Sequence, residues 1–243
     1  MQEILLIIAM MFGGQLIGSL IGLVKKPSDR LLHSSLAFAG SMMLALSFFE
    51  LLPQSLSIAA GWLVLVFFLS GIVVFKALDH LIPHVHPEFL KIEHRCTKRS
   101  VDMLVLGIAL HNIPEGLAVG TCFAIDPSMG LLIALAISIQ DIPENLAMVV
   151  PLYCLNHSRL RSFMIVLGTV FFELAGFIIG YAFLTGASLP LVGASLAMAA
   201  GLMTYISLDE LLPAAELRQR PKAGAIAIIL GVASVLLLGM ISF

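Results

Sequence analysis

The sequence predicts an all-α polytopic membrane protein. Eight transmembrane helices are expected, with spans 1–3 and 6–8 related as an inverted repeat around a kinked central pair, spans 4 and 5. Three observations carry this. Of 243 residues, 60% are hydrophobic and 12% charged, whereas soluble domains average about 45–50% apolar and about 25% charged. The apolar residues fall into runs of about 20, the length a helix needs to cross a bilayer. All thirteen Lys and Arg lie in alternate connections or at their edges. The runs are continuous rather than alternating, which excludes a membrane barrel. Composition excludes a soluble enzyme and a disordered chain, and a net charge of −2 gives no footprint for nucleic acid.

The spans are read in order. Span 1, roughly 4–24, is too long for a signal peptide, opens at Glu3 and is followed by Lys25 and Lys26. Span 2, roughly 32–53, follows Arg30 and ends in Glu50-Leu51-Leu52-Pro53. Span 3, roughly 58–79, has Lys76 at its edge. The long connection after it, about 80–100, holds Lys91, Arg95, Lys98 and Arg99 with His80, His84, His86 and His94. Spans 4 and 5, roughly 101–124 and 130–154, are joined by a short turn. Arg159 and Arg161 precede span 6, roughly 161–184. Span 7, roughly 190–212, ends in Glu210-Leu211-Leu212-Pro213, and Arg218, Arg220 and Lys222 lead into span 8, roughly 223–243. Positive residues mark cytosolic connections. The four basic connections therefore face the cytosol, both termini lie outside, and 1–243 forms one membrane domain. Three cysteines, Cys96, Cys122 and Cys154, have no CxxC spacing and make neither a disulfide framework nor a zinc ribbon.

Two short motifs recur. Span 4 reads His111-Asn112-Ile113-Pro114-Glu115-Gly116, and span 5 reads Gln140-Asp141-Ile142-Pro143-Glu144-Asn145. The Glu-Leu-Leu-Pro of span 2 returns in span 7. By the charge rule each pair runs in opposite directions, the pattern of inverted repeats about a midplane site. Glu115, Asp141, Glu144 and Glu173 all sit near the middle of spans, where an acidic side chain costs roughly 2.5–3.5 kcal/mol. No Lys or Arg lies at that depth, so the compensating charge is protons or a bound cation. His111 and Glu115 are i and i+4, as are Gln140 and Glu144, so each pair projects from one helical face. Pro114 and Pro143 each free a backbone carbonyl one turn earlier. One imidazole with several carboxylates and no thiolate fits an exchangeable first-row divalent ion, such as Zn²⁺.

His-Asn-x-Pro-Glu-Gly on the fourth of eight spans, with a Pro-Glu partner on the fifth, resembles the ZIP family of divalent-metal transporters, in its prokaryotic form. The resemblance covers essentially the whole chain. It implies one metal site at His111, Glu115, Gln140 and Glu144. A second is implied at Asn112, Asp141, Glu144 and Glu173, with Glu144 bridging. It also implies that spans 1, 4, 5 and 6 move against spans 2, 3, 7 and 8, by alternating access, toward the cytosol and often as homodimers. Asn145 departs from the glycine that often follows Pro-Glu in the family. Gln140 stands where many eukaryotic members have His, which leaves Fe²⁺, Cd²⁺, Mn²⁺ or Co²⁺ as cargo beside Zn²⁺. The short loops point to a bacterial inner membrane.

Residues placed along the path are each weighed against a plainer role. Glu50 is a candidate for the outer mouth or a solvated helix end. Met43 is a soft ligand at that mouth or core filler. Asp209 and Glu210 are candidates for the exit or a hydrated helix terminus. His80, His84 and His86 are cytosolic metal collectors or ordinary loop residues. Two other functions fit the buried acids: a membrane metalloenzyme using metal-activated water, and a proton-coupled carrier that binds no metal. The first lacks HExxH and any general base left over once the ligands are assigned.

Overall fold

The computed structural model describes residues 1–24, 27–81, 98–153, 158–218 and 221–241. The described residues form helices and connecting turns, with no strand among them. In chain order the long helical stretches are α1 (Gln2–Val24), α2 (Asp29–Ile58), α3 (Gly61–Leu81), α4 (Lys98–Ile125), α5 (Pro127–Tyr153), α6 (Arg159–Leu184), α7 (Leu189–Ala214) and α8 (Pro221–Ile241). Among the described residues, seven of them are long and apolar enough to cross a membrane. The sequence pattern predicts eight. The exception is α4, whose unbroken run of described side chains covers only 109–125. His84, His86 and His94 lie outside the described residues.

Lipid cannot drive helices together hydrophobically, so close packing relies on small residues that let backbones touch. The tightest seam joins α4 and α6. A β-carbon on Gly116 would lie 1.8 Å from the Glu173 carbonyl oxygen, and one on Gly176 would lie 2.3 Å from that of Ile113. Gly120 and Gly180 repeat this one turn on, against Phe177 and Leu117. Two facing Gly-x-x-x-Gly pairs thus bring the helices into backbone contact. α1 packs on α5 in the same way, with Gly14 against Ser138 and Gly18 against Ile142. α3 packs most closely on α7, and α8 on α2. The closest partnerships therefore divide the bundle into α1, α4, α5, α6 and α2, α3, α7, α8, with α2 touching α5 and α4 touching α7 across the divide.

The two Glu-Leu-Leu-Pro motifs share one backbone irregularity. Ser47–Leu51 and Ser207–Leu211 are π-helical turns inside α2 and α7. In each, the leucine before the proline donates its N–H five residues back, Leu52 to Ser47 and Leu212 to Ser207. Proline contributes to this: Pro53 and Pro213 have no N–H, and each ring would collide with the carbonyl four residues earlier. A wider turn relieves that collision.

Candidate metal site

The site forms where the proline-bearing centres of α4 and α5 face each other. Glu115, Asp141 and Glu144 are fully or almost fully buried, at 0%, 2% and 3% exposure. One oxygen from each lies within 4.8 Å of the other two. Three unit charges at that spacing repel by about 3 kcal/mol per pair at an effective dielectric constant near 20. The total is comparable to the whole stability of a typical domain, so these groups do not coexist as bare anions.

The surrounding hydrogen bonds tie up one end of most polar groups and leave the other unpartnered. Gln140 Nε2 donates to Glu115 Oε1 at 2.6 Å. Gln140 Oε1 and Glu115 Oε2 have no partner. His111 Nδ1 lies 3.4 Å from Glu210 Oε2, while its Nε2 has no partner. Gln15 Nε2 donates to Glu173 Oε2 at 2.7 Å, and Glu173 Oε1 has no partner. Asp141 Oδ2 and Glu144 Oε2 are likewise buried and unpartnered. Buried polar atoms are normally satisfied, and each exception calls for an explanation. Here six of them are lone-pair donors drawn from five oxygens and one imidazole nitrogen. Together they have the chemistry of a cation-binding set.

Glu173 lies outside the tight cluster but close enough to interact electrostatically with Glu115, Asp141 and Glu144. Asn112 Nδ2 donates to the Thr169 carbonyl at 3.2 Å and reaches its hydroxyl at 3.3 Å. This is possible because α6 breaks its regular pattern at Thr169. The structure thus gathers Glu115, Gln140, Asp141 and Glu144 at the centre, His111 beside them toward α7, and Asn112 and Glu173 toward α6 and α1.

The candidates along the path are placed as follows. Glu210 contacts His111 directly. Asp209 is half-buried in the same π-turn. Glu50 is half-buried in the other π-turn and points toward Gly239 on α8. Met43 is fully buried within the hydrophobic core. His80 is exposed in the last turn of α3. Between His111 and that end of α3 stands buried Phe75, edge-on to His111 at 6.2 Å and next to Tyr205 at 5.9 Å. Sequence reasoning missed Gln15 and Thr169. The available signal was a carboxamide in the middle of an otherwise apolar first span, which a search for acids and histidines passes over.

A family model described as ZIP zinc transporter matches residues 97–239. A zinc transporter ZupT of Escherichia coli O7:K1 is 33% identical over 209 residues, covering 82% of this chain and 81% of the relative. ZupT of Shigella flexneri matches to the same extent. The chain belongs to the ZIP zinc transporter family. As a ZIP protein with several apolar helices, it is an integral membrane protein of a transporter family rather than an enzyme family. Gly116, directly after Glu115, lets the α6 backbone approach closely enough to bring Glu173 near the acids of α4 and α5.

Proposed function

We propose that this chain carries a divalent transition metal, Zn²⁺ first and Fe²⁺, Cd²⁺, Mn²⁺ or Co²⁺ as alternatives, toward the cytosol by alternating access. The cargo passes through a binuclear midplane site on α4, α5 and α6. His111, Glu115, Gln140 and Glu144 hold one ion. Asn112, Asp141, Glu144 and Glu173 hold the other, and Glu144 bridges them. The observation that carries this reading is the set of six buried, unpartnered lone-pair atoms around three close carboxylates. Two dications sharing Glu144 would satisfy them between them and cancel the repulsion. One imidazole among oxygens favours first-row divalent ions over Ca²⁺ and Mg²⁺.

The same reading makes α1–α8 eight spans with both termini outside and the 80–100 connection in the cytosol. Three contacts support this topology by drawing basic ends together: Arg159 reaches the Val24 carbonyl at 3.2 Å, Gly22 meets Val149, and His33 lies 3.5 Å from Glu216. The inverted repeat draws support from the helix partnerships. Exchanging α1–α3 with α6–α8 and α4 with α5 converts the α4–α6 pair into α5–α1, and α3–α7 into α8–α2. The twin π-turns exchange as well. The division of the bundle supports α1, α4, α5 and α6 moving against the rest. A homodimer in a bacterial inner membrane completes the assignment.

The test is flux. Protein reconstituted in vesicles is expected to take up radiolabelled Zn²⁺ or Cd²⁺ in a saturable way, unaffected by excess Ca²⁺ or Mg²⁺. Uptake equal to that of protein-free vesicles overturns the proposal. A second expectation concerns stability. Cd²⁺ at a hundred times its dissociation constant should stabilise the detergent-solubilised fold by about 2.7 kcal/mol, read as a rise in melting temperature that Mg²⁺ does not produce.

A further inference from the structure

We infer that Gln15 of α1 is a positioning residue for the Glu173 half of the site, acting on Glu173 directly and on Asn112 through Thr169. The inference rests on the metal-carrier reading above. Gln15 is 0% exposed at the middle of a helix that contributes no proposed ligand. Its amide joins two groups. Nε2 donates to Glu173 Oε2 at 2.7 Å, and Oε1 lies 3.3 Å from the Thr169 hydroxyl, whose single proton it shares with the Val166 carbonyl at 2.7 Å. Thr169 in turn receives the Asn112 amide on its carbonyl and hydroxyl oxygens. The chain Glu173–Gln15–Thr169–Asn112 thus spans α6, α1 and α4.

The chemistry fixes the direction of each link. A carboxylate accepts only, so the nitrogen end of Gln15 must face Glu173, which leaves its oxygen end for the Thr169 hydroxyl. Gln15 therefore pins one oxygen of Glu173 and leaves Oε1, buried and unpartnered, as the oxygen presented to cargo. Asn112 is oriented by the same relay: its nitrogen is committed to Thr169, and its carbonyl oxygen is the end that can ligate. A neutral amide suits this position. Lys or Arg there would neutralise Glu173 and repel a dication, while an acid would add one more uncompensated charge to the cluster. Groups that orient metal ligands typically change affinity by 10- to 100-fold when removed.

The experiment is a double-mutant cycle on full-length protein, read by Cd²⁺ calorimetry and by uptake. Gln15→Met keeps the size and loses both hydrogen bonds. It is expected to weaken one class of Cd²⁺ site and raise the uptake KM by about 10-fold or more, with the other class of site unchanged. In a Glu173→Gln background, Gln15→Met should add much less than in the wild type, because only the route through Thr169 to Asn112 is left. Should Gln15→Met fail to fold, Gln15→Asn, which retracts the donor by one methylene, is expected to give the same rise. An unchanged KM in the wild-type background, or equal losses in both backgrounds, overturns the inference while leaving metal transport intact. Absence of Cd²⁺ binding and uptake by the wild type overturns the functional reading itself.

Discussion

Uptake by protein carrying His111→Ala together with Glu115→Ala is expected to fall at least about 100-fold, to the level of protein-free vesicles. Loss of one orienting group around a metal already costs 10- to 100-fold, and this pair removes two ligands from one face of α4. The damage extends past the two side chains. Without Glu115, the Gln140 amide loses the acceptor that holds it at 2.6 Å, so a third ligand loses its orientation. Without His111, Glu210 loses its contact across the two halves of the bundle. Folding should survive, because removing a carboxylate from a crowded acidic cluster relieves repulsion. The melting temperature is therefore expected to hold or rise, and its response to Cd²⁺ to shrink. Substantial Cd²⁺ uptake by a well-folded double variant would remove His111 and Glu115 from the metal path.

Gly116→Ala is expected to be the most damaging of the glycine-to-alanine changes among the described glycines. Its β-carbon would lie 1.8 Å from the Glu173 carbonyl oxygen and 2.7 Å from the carbonyl carbon. These are backbone atoms, with no side-chain rotamer able to turn aside. α4 and α6 would have to separate by more than an ångström, and the Gly120–Gly180 contacts one turn away would open with them. Overpacking typically costs 1–3 kcal/mol and occasionally more; with backbone on both sides, about 3 kcal/mol or more is expected. Gly13→Ala is the matched control. It sits inside α1 with nothing within 4 Å of the added carbon, so the better helix propensity of alanine should leave it neutral or slightly stabilised. Melting temperatures of the two variants side by side check the claim, and equal behaviour would contradict it.

Much of the bundle was legible in the sequence because lipid imposes simple rules. Apolar runs set the helices, and prolines marked the centres of α4 and α5. The grouping of Glu115, Asp141 and Glu144 was legible for the same reason: an acid in the middle of an apolar span needs a compensating charge or proton. The π-turns were not. Glu-Leu-Leu-Pro stood out as a repeat, but a proline at a helix centre can kink, break or widen the turn, and the choice depends on packing around Ser47 and Ser207. The pairing of Gln15 with Glu173 was hidden because it joins residues 158 positions apart. No local spacing encodes it. The contact of Glu210 with His111 was hidden for the same reason, which is why Glu210 read as a candidate for the exit or a hydrated helix end rather than a neighbour of the centre.

The glycine seam between α4 and α6 bears on how such a protein can evolve. A wall made of touching main chains offers mutation almost nothing to remodel, since every side chain larger than hydrogen is rejected there. Drift on the lipid-facing surface is screened from the cargo chamber by that same rigidity.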